Sequence, residues 1–456
     1  MKKIDLVPKQ PPARDPNDDR YWQASDLEGE MRRTFEICHG CRMCVGYCGT
    51  FPDIFARIDR DIETRGATGA ELLDADAFAS ATEKCWQCKL CYIKCPYTAD
   101  EAHEWMVDVP RLLSREKAQR AARNGVTLQD RVLGEPQLLG QMTAGPQARV
   151  ANFVNANRLV RKVVARVAGI ADGFALPPFG EVTFARWLAG HEPLPGSGTR
   201  GTVALFATCL ADYNFPRIAA SATCVLEKNG WSVERPEQTC CGMPNLDGGD
   251  VVAATAKART NVRSLVQAID AGRTIVALQP TCGYMARKEW PELLRSADAR
   301  RVAAATVDVM ELLEQHRRGK TLARDFKRGL GRVGYQASCH LRAQKIGYPA
   351  ARVLSVLPET EIEVIEQCSA VDGTWGMKTQ HFESGRRFAQ KLVRGLAAVD
   401  PEVVVTDCAL SARRILAETG KAPLHPVEAL AEAYGVMPAL PGTTHDSAPR
   451  EQGKSE

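Results

Sequence analysis

The sequence lacks several features that would assign it to a common class of protein. No apolar run approaches the ~18 residues of a membrane-spanning helix, so we expect no transmembrane segment. The opening stretch MKKIDLVPKQPPARDP has lysines but no apolar core, which predicts that it is not a secretory signal. Aromatic residues make up only 6% of the chain and are not interleaved with its basic residues, so no nucleic-acid-binding module is indicated.

Nucleotide-binding signatures are also missing, with one misleading exception. Gly329-Leu-Gly331-Arg-Val-Gly334 matches the G-x-G-x-x-G spacing of dinucleotide-binding loops. That fingerprint must follow a strand and open a helix, whereas this stretch is predicted to follow a helix and open a strand. Since no other flavin, nicotinamide or nucleotide loop is present, we expect any such cofactor to belong to a partner protein.

Cysteine, by contrast, is abundant and regularly spaced. Eight of the 16 cysteines form two runs with the spacing C-x2-C-x2-C-x3-C. This spacing is typical of a pair of 4Fe-4S clusters, in which three thiolates of a run hold one cluster and the fourth reaches the other. We therefore predict two ligand sets. The first is Cys38, Cys41, Cys44 and Cys95, and the second is Cys85, Cys88, Cys91 and Cys48.

Zinc is the main alternative for these runs. Four-cysteine zinc sites also use C-x2-C pairs, but they do not need three thiolates within one turn. The second run ends in Cys95-Pro96, as in bacterial ferredoxins, whereas Gly49 follows Cys48. The runs therefore favour iron–sulfur clusters, and the cysteines are expected to be reduced or metal-bound in the cytoplasm.

The whole chain divides into six predicted segments, of which the third is strongly basic. Residues 111–166 include eleven basic and three acidic residues. This excess predicts a surface that contacts an acidic partner or an anionic membrane, or a helical face that is only solvated. The predicted segments are a polar arm (1–30), a ferredoxin-like α-helical domain with two 4Fe-4S clusters (31–110), a basic helical connector and linker (111–200), a first cysteine-rich lobe (201–325), a second cysteine-rich lobe (326–440) and a disordered tail (441–456).

The C-terminal half repeats one pattern. Residues 203–209 and 333–339 are each an apolar strand that ends in a cysteine, and each is followed by helix, strand, helix and strand. Alternation at these lengths predicts parallel α/β units, here two lobes related by a pseudo-twofold axis. Because ligands gather beyond the carboxyl ends of parallel strands, the cysteines at those ends are candidate ligands rather than core residues.

Seven cysteines of the lobes are candidate metal ligands, enough for a third iron–sulfur cluster or a zinc ion. Ser369 replaces the second cysteine of a pair in the second lobe, and His340 is either a fourth ligand or a locally hydrogen-bonded residue. The two lobes could also share one cluster. No catalytic residue is predicted. The seven candidates are Cys209, Cys240, Cys241 and Cys282 in the first lobe and Cys339, Cys368 and Cys408 in the second.

The motifs resemble those of a known family. They are the paired cysteine runs, Cys240-Cys241-Gly242-Met-Pro, Cys339-His340-Leu-Arg, Gly373-Thr-Trp-Gly-Met-Lys378 and Thr406-Asp407-Cys408. Together they are similar to the cysteine-rich (CCG) domain iron–sulfur proteins. Over about residues 30–440 the chain most resembles the iron–sulfur subunits of anaerobic glycerol-3-phosphate dehydrogenases and the heterodisulfide-reductase-related iron–sulfur oxidoreductases.

The resemblance implies two 4Fe-4S clusters, a further cluster or metal site in the lobes, and electron transfer between a flavoprotein dehydrogenase and quinone or another acceptor. It implies a cytoplasmic protein, or one that is peripheral at the inner membrane. Three alternatives stay open: a disulfide- or quinone-reducing catalyst, an electron donor to a rubrerythrin-type partner in peroxide defence, and a non-catalytic sensor or assembly protein. Gln279 and Val405 stand where the heterodisulfide reductase motif has a further cysteine, so electron transfer is the favoured function.

Overall fold

The first part of the chain is helical, in keeping with the helical spacing of its apolar residues. The computed structural model describes residues 4–371 and 373–440, so the predicted tail over 441–456 lies outside the described residues. Single-turn 3-10 helices occur at Ala70–Leu72 and Ala99–Glu101. The α-helices are α1 (Asp19–Trp22), α2 (Ala24–Cys41), α3 (Thr50–Arg65), α4 (Ala75–Glu83), α5 (Leu90–Ile93), α6 (Val109–Asn124), α7 (Leu128–Leu133), α8 (Pro136–Thr143), α9 (Ala148–Ala156), α10 (Arg158–Ala168) and α11 (Phe184–Ala189).

Two predicted domain boundaries fall inside helices of this region. The boundary at residue 30 lies within α2, because Leu27, Met31 and Phe35 recur every fourth residue and pack in the N-terminal core. The boundary at residue 110 lies within α6, which buries Leu112 and Leu113 in the same core. A packed helix therefore replaces the predicted polar arm from residue 24 onward.

The second part of the chain contains two parallel sheets with helices between their strands. The first sheet has the order β2-β1-β3-β4 and the second has the order β6-β5-β7. Every strand pair is parallel, so the prediction of parallel α/β lobes after a helical region is confirmed. The strands are β1 (Thr202–Phe206), β2 (Ser232–Glu234), β3 (Thr274–Ala277), β4 (Thr306–Asp308), β5 (Gly331–Gln336), β6 (Thr360–Ile365) and β7 (Val403–Thr406).

The two sheets share the order second–first–third strand, but the first has an additional strand, and the pseudo-twofold axis stays a prediction. A 3-10 turn occurs at Trp375–Met377, and π-helical turns occur at Leu210–Asn214 and Met285–Glu289. The α-helices of the lobes are α12 (Pro216–Lys228), α13 (Met243–Asp247), α14 (Val251–Asp270), α15 (Pro280–Tyr284), α16 (Trp290–Leu294), α17 (Ala297–Ala305), α18 (Val309–Arg318), α19 (Cys339–Ala343), α20 (Pro349–Leu354), α21 (Thr379–Val399), α22 (Ala409–Thr419) and α23 (Pro426–Tyr434).

The carboxyl ends of four strands place cysteines at the sheet edges. Cys209, Cys282, Cys339 and Cys408 follow β1, β3, β5 and β7 by two to five residues. The strands themselves are apolar and buried, as expected where helices cover a parallel sheet. The cysteines therefore lie at the sheet edge where ligands of parallel α/β proteins gather.

The lobes pack against each other and against the N-terminal helices. The largest apolar core contains Leu205 of the first lobe and Tyr335 of the second. In the second lobe, Trp375 packs against Trp86 at 5.0 Å between ring centroids and donates from Nε1 to the Glu83 carbonyl at 2.8 Å. The second lobe therefore touches the helical region that carries the cysteine runs. Within residues 4–371 and 373–440 no helix is long and apolar enough to cross a membrane.

Candidate iron–sulfur and cysteine centres

Four of the predicted ligands line one small cavity. Cys38 and Cys41 come from the last turn of α2, Cys44 from the loop after it, and Cys95 from the end of the second run. The chain reverses after α2 because Arg42 adopts the left-handed conformation, with φ of 53°. The structure thus brings together the set that the spacing assigns to one cluster.

The other four predicted ligands line a second cavity. Cys85, Cys88 and Cys91 belong to the second run, and Cys48 is the last cysteine of the first run. Phe51, which is 1% exposed, lies in the walls of both cavities. The fourth cysteine of each run therefore lies with the other run, and the two cavities are neighbours.

The loop around Cys88 is held in an uncommon backbone conformation. Gln87 and Lys89 both have positive φ, 52° and 62°, which non-glycine residues rarely adopt. Gln87 donates its backbone N–H to Cys85 Sγ at 3.4 Å, and its side-chain amide donates to the Pro110 carbonyl at 3.2 Å. Such strain is typical of ligand-holding loops, and the N–H···S contact stabilises negative charge on sulfur.

Several of the thiols in the two cavities resist ionisation as they stand. Burial, and then the neighbouring Cys95, raise the pKa of Cys44 to about 12. Burial and nearby thiols raise the pKa of Cys38 and Cys91 well above the usual range. Four thiolates this close together need a compensating positive charge, which iron ions supply. Sets of four soft sulfur donors in apolar cavities therefore fit 4Fe-4S clusters, whose chemistry is one-electron transfer.

The first lobe gathers its four thiols in its own interior. Cys209 Sγ lies 3.9 Å from Cys240 Sγ, and Cys241 contacts both Cys240 and Cys282. All four residues are buried. Contacts with the thiols of Cys209 and Cys241 hold the pKa of Cys240 well below its usual value, whereas the contact with Cys240 raises the pKa of Cys209. Cys240 is therefore more acidic than Cys209 and Cys241.

Groups far away in the sequence hold the Cys240–Cys241 turn. Gln137 of the connector accepts hydrogen bonds from the Cys240 backbone N–H at 2.6 Å and from the Thr239 hydroxyl at 2.5 Å. Trp290 donates from Nε1 to the Cys241 carbonyl at 3.0 Å. Nothing in the sequence pointed to Gln137 or Trp290. Gln137 is 103 residues from Cys240 and Trp290 is 49 residues from Cys241, and contacts over such separations leave no local pattern.

Glycine is required after this cysteine pair. Gly242 has φ of 91°, and a Cβ there would lie 3.1 Å from the Ala254 carbonyl oxygen of α14. Both the left-handed backbone and the close approach of α14 exclude a side chain without strain. The Cys-Cys-Gly sequence thus reflects a tight turn against a helix.

The second lobe distributes its three cysteines differently. Cys339 and Cys368 pack against the N-terminal core. The pKa of Cys88 is raised mainly by burial and in addition by the nearby thiols of Cys368 and Cys339. Cys408 packs against a separate apolar core. In the described residues no three Cys, His, Asp or Glu side chains are arranged to hold a single metal ion. Metal binding by the lobe cysteines stays a prediction.

Serine replaces a thiol at the corresponding turn of the second lobe. Ser369 Oγ and Ser411 Oγ lie 2.8 Å apart and form a buried hydrogen bond. Ser411 also hydrogen-bonds to Cys408, a contact that lowers the pKa of that thiol, although burial raises it overall. Ser369 therefore bonds another hydroxyl, whereas the corresponding Cys241 contacts thiols.

His340 is buried and fully hydrogen-bonded. Its Nε2 lies 3.1 Å from the Gln87 carbonyl, and its Nδ1 lies 2.9 Å from the Thr281 hydroxyl. Because a carbonyl can only accept, Nε2 carries the proton and Nδ1 accepts from Thr281. Burial lowers the pKa of His340 to about 4, so the ring is neutral. His340 was expected to be either a metal ligand or a locally hydrogen-bonded residue, and in the structure both of its ring nitrogens form hydrogen bonds.

The position of His340 links three cysteine regions. Gln87 precedes Cys88, Thr281 precedes Cys282, and His340 itself follows Cys339. One ring therefore joins the second cavity, the first-lobe thiols and the second lobe.

Comparison with known proteins agrees with this arrangement. Residues 36–100 match the 4Fe-4S dicluster domain family, and residues 203–287 and 333–410 match the cysteine-rich domain family. These ranges contain every predicted ligand. The chain is a cysteine-rich-domain iron–sulfur protein. The family resemblance seen in the sequence is thereby confirmed.

Curated relatives of this iron–sulfur protein include a dehydrogenase subunit and lactate utilization proteins. It is 28% identical over 315 residues to a subunit of the anaerobic glycerol-3-phosphate dehydrogenase of Escherichia coli K12, a match that covers 67% of this chain and 77% of the relative. It is 27% identical over 186 residues to lactate utilization protein A of Geobacillus kaustophilus, which covers 39% of this chain and 74% of the relative. An uncharacterized iron-sulfur protein of Methanococcus maripaludis is 26% identical over 212 residues, 45% of this chain and 39% of that protein.

Proposed function

We propose that this protein is an electron-transfer subunit that passes electrons between a flavoprotein dehydrogenase and quinone or another acceptor. The observation that carries the proposal is the pair of adjacent cavities, each lined by four cysteines of which one comes from the other run. One relative is a subunit of an anaerobic glycerol-3-phosphate dehydrogenase, which supports a partner of that type.

Under this proposal Cys38, Cys41, Cys44 and Cys95 hold one 4Fe-4S cluster, and Cys85, Cys88, Cys91 and Cys48 hold the other. Apolar side chains cover part of both sites: Phe51 lies in both walls, and Trp86, which lines the second cavity, is 1% exposed. Cys44 Sγ lies 4.0 Å from the Cys91 carbonyl oxygen, so the two ligand sets are in contact. Cys339 and Cys368 lie beside the second set, which therefore adjoins the cysteine-rich half.

The donor is proposed to be a glycerol-3-phosphate-type flavoprotein, because that relative covers 67% of the chain whereas the lactate utilization relative covers 39%. A lactate-oxidising flavoprotein is the competing donor. Contact with a membrane surface and a rubrerythrin-type partner stay predictions.

Metal analysis of anaerobically purified protein tests the ligand sets. We expect about eight iron and eight acid-labile sulfide per chain, and two interacting cubane signals in low-temperature EPR after reduction. Cys85→Ser should remove about half of the iron. Cys224→Ser is the matched control, because Cys224 is equally buried but lies in α12, outside both cavities. Zinc in place of iron, or equal iron loss in both variants, would refute the assignment.

Reduction by purified flavoproteins then tests the electron-transfer role. A glycerol-3-phosphate-oxidising flavoprotein should bleach the iron–sulfur absorbance on addition of its substrate, and a quinone analogue should restore it. Bleaching only by a lactate-oxidising flavoprotein would reassign the donor. No bleaching by either would contradict the role as their redox partner.

Thiol chemistry in the first lobe is a second candidate function. It is favoured by the 3.9 Å contact between Cys209 and Cys240 and by the lowered pKa of Cys240. In that case the lobe would reduce a disulfide or quinone with electrons from the clusters. Cys241→Ala should then abolish turnover while both cubane signals remain, and unchanged turnover would eliminate this candidate.

A further inference from the structure

A basic cavity lies between the connector helices and the second lobe. Its walls are formed by α9, α10, residues 172–178 and Arg413 of α22, and its volume is about 560 Å³. None of its lining residues is a cysteine, so it is separate from the candidate clusters. Cavities of this size are typical of small-molecule sites.

The charges around the cavity are strongly unbalanced. Arg158, Arg161, Lys162 and Arg413 line it, and Asp172 is the only acidic residue in its wall. Arg158 and Lys162 are exposed, and neither forms an ion pair with a carboxylate in the described part of the chain. Four cationic side chains beside one carboxylate create a positive potential that attracts an anion.

Arg161 is the buried anchor of this group. The residue is only 6% exposed, and its Nη2 donates to the carbonyls of Ala171 and Phe174, the latter at 3.0 Å. Its Nη1 is buried and has no hydrogen-bond partner among the described residues. A buried guanidinium N–H without an acceptor is unfavourable, and an anion in the cavity would supply the acceptor.

We infer that this cavity binds a phosphate group. Phosphate offers several acceptor oxygens and up to two negative charges, which matches cations that approach from two helices. A carboxylate carries one charge and would leave most of the positive charge unbalanced. The inference does not depend on the electron-transfer proposal.

The phosphate group has two chemical sources, a soluble phosphate ester or a lipid headgroup. Leu159, Val163 and Val167 form an exposed apolar stripe on α10, with 74%, 61% and 72% of their surface exposed. Arg158 and Lys162 precede Leu159 and Val163 by one residue, so a basic row runs beside the apolar row. Helices that lie on anionic membranes have this combination, so the experiment needs a lipid arm.

Calorimetric titration of the full-length holoprotein with inorganic phosphate is the first measurement. We expect saturable binding, weakened at least about tenfold in the double variant Arg158→Ala/Lys162→Ala, because each lost charged hydrogen bond weakens binding by about that factor. Arg166→Ala is the matched control, since Arg166 is exposed on the same helix but does not line the cavity. It should bind within about twofold of the unaltered protein. All substituted residues are exposed, and equal unfolding temperatures verify the fold.

Co-sedimentation with vesicles separates the two sources. Binding to phosphatidylcholine vesicles that contain phosphatidylglycerol, but not to phosphatidylcholine alone, with competition by phosphate, assigns the site to a lipid headgroup. Phosphate binding without vesicle binding assigns it to a soluble phosphate ester. Absence of saturable phosphate binding overturns the inference. So does an equal loss in Arg166→Ala, which would show a general basic face rather than a built site.

Discussion

The two cysteine-rich lobes share a strand order but place their cysteines in different surroundings. In the first lobe four buried thiols contact one another, with Cys209 and Cys240 3.9 Å apart. In the second lobe Cys339 and Cys368 lie against the N-terminal core, and Ser369 of the turn hydrogen-bonds to Ser411 of α22. Cysteines at corresponding strand ends therefore contact one another in the interior of the first lobe, whereas in the second lobe Cys339 and Cys368 contact the N-terminal region that carries the cysteine runs.

The neighbours of each lobe explain the difference. Gln137 and Trp290 close the first site by bonding the backbone of Cys240 and Cys241. The second lobe instead packs Trp375 onto Trp86, which holds its cysteines against the second cavity. A repeated fold thus keeps its framework, while the elements packed on each copy decide what its cysteines contact.

The largest expected effect comes from removing the tryptophan of each lobe. Trp290→Ala and Trp375→Ala should each reduce the free energy of unfolding by about 3–5 kcal/mol, because both side chains are buried and hydrogen-bonded. Chemical denaturation measures the loss. Thiol labelling with mass spectrometry should show Cys240 newly accessible only in Trp290→Ala, and labelling of the partly exposed Cys368 should increase only in Trp375→Ala. Identical labelling in both variants would break the comparison between the lobes.

Replacing His340 should have the next largest effect. His340→Ala leaves the Gln87 carbonyl and the Thr281 hydroxyl without their partner, which lowers stability by about 2–4 kcal/mol. His425→Ala is the control, because His425 is also buried, has a pKa lowered to about 4 by burial and bonds the Leu278 carbonyl at 3.1 Å. Only His340→Ala should alter the EPR spectrum and reduction potential of the cluster at Cys88. Equal spectra in the two variants would show that His340 contributes to packing but does not influence the proposed cluster.

The turns after Cys240-Cys241 and after Cys368-Ser369 should differ in how much stability changes when glycine and alanine are exchanged. Gly242→Ala should cost about 1–3 kcal/mol, because φ is 91° and the new Cβ meets α14. Ala370 stands at the corresponding position with φ of 49° and is fully buried. Ala370→Gly should change stability by less than about 1 kcal/mol, since relief of the left-handed backbone offsets loss of one buried methyl. Thermal unfolding of both variants checks this, and a cost for Ala370→Gly equal to that of Gly242→Ala would contradict it.

The smallest effect concerns the ion pairs between the lobes. Glu314 of the first lobe bonds Arg352 of the second at 2.8 Å, and Arg317, Arg318 and Arg352 hold the pKa of Glu314 at about 2. Because this pKa is depressed, its contribution is present above pH ~4.3, the value of a free Glu, and is lost as the pH falls towards 2. Glu314→Gln should lower stability at pH 7 by about 1 kcal/mol or less, since the partners are partly exposed. The difference between the two proteins should shrink as the pH falls from about 4 towards 2, and a difference that stays constant over this range would contradict this.

Much of the architecture was predictable because it depends on local patterns. Alternating strands and helices predicted parallel α/β lobes, and strand ends predicted where cysteines would lie. The predicted boundaries at residues 30 and 110 fall inside α2 and α6, because the many polar and charged residues of these helices obscure the apolar positions by which they pack. The ligand assignments stay predictions, although the structure gathers each set of four around one cavity.

The sequence by itself determined which thiols can act together within a run, because three cysteines with two residues between neighbours can face one site only from a tight loop. It also determined which segments form strands, since β-branched apolar runs form buried parallel strands. Only the tertiary structure decided that Cys339 and Cys368 lie beside Cys88, that Gln137 holds the Cys240 turn and that His340 joins three cysteine regions. These contacts cross about one hundred to nearly three hundred residues, and packing of whole domains, rather than local spacing, sets them.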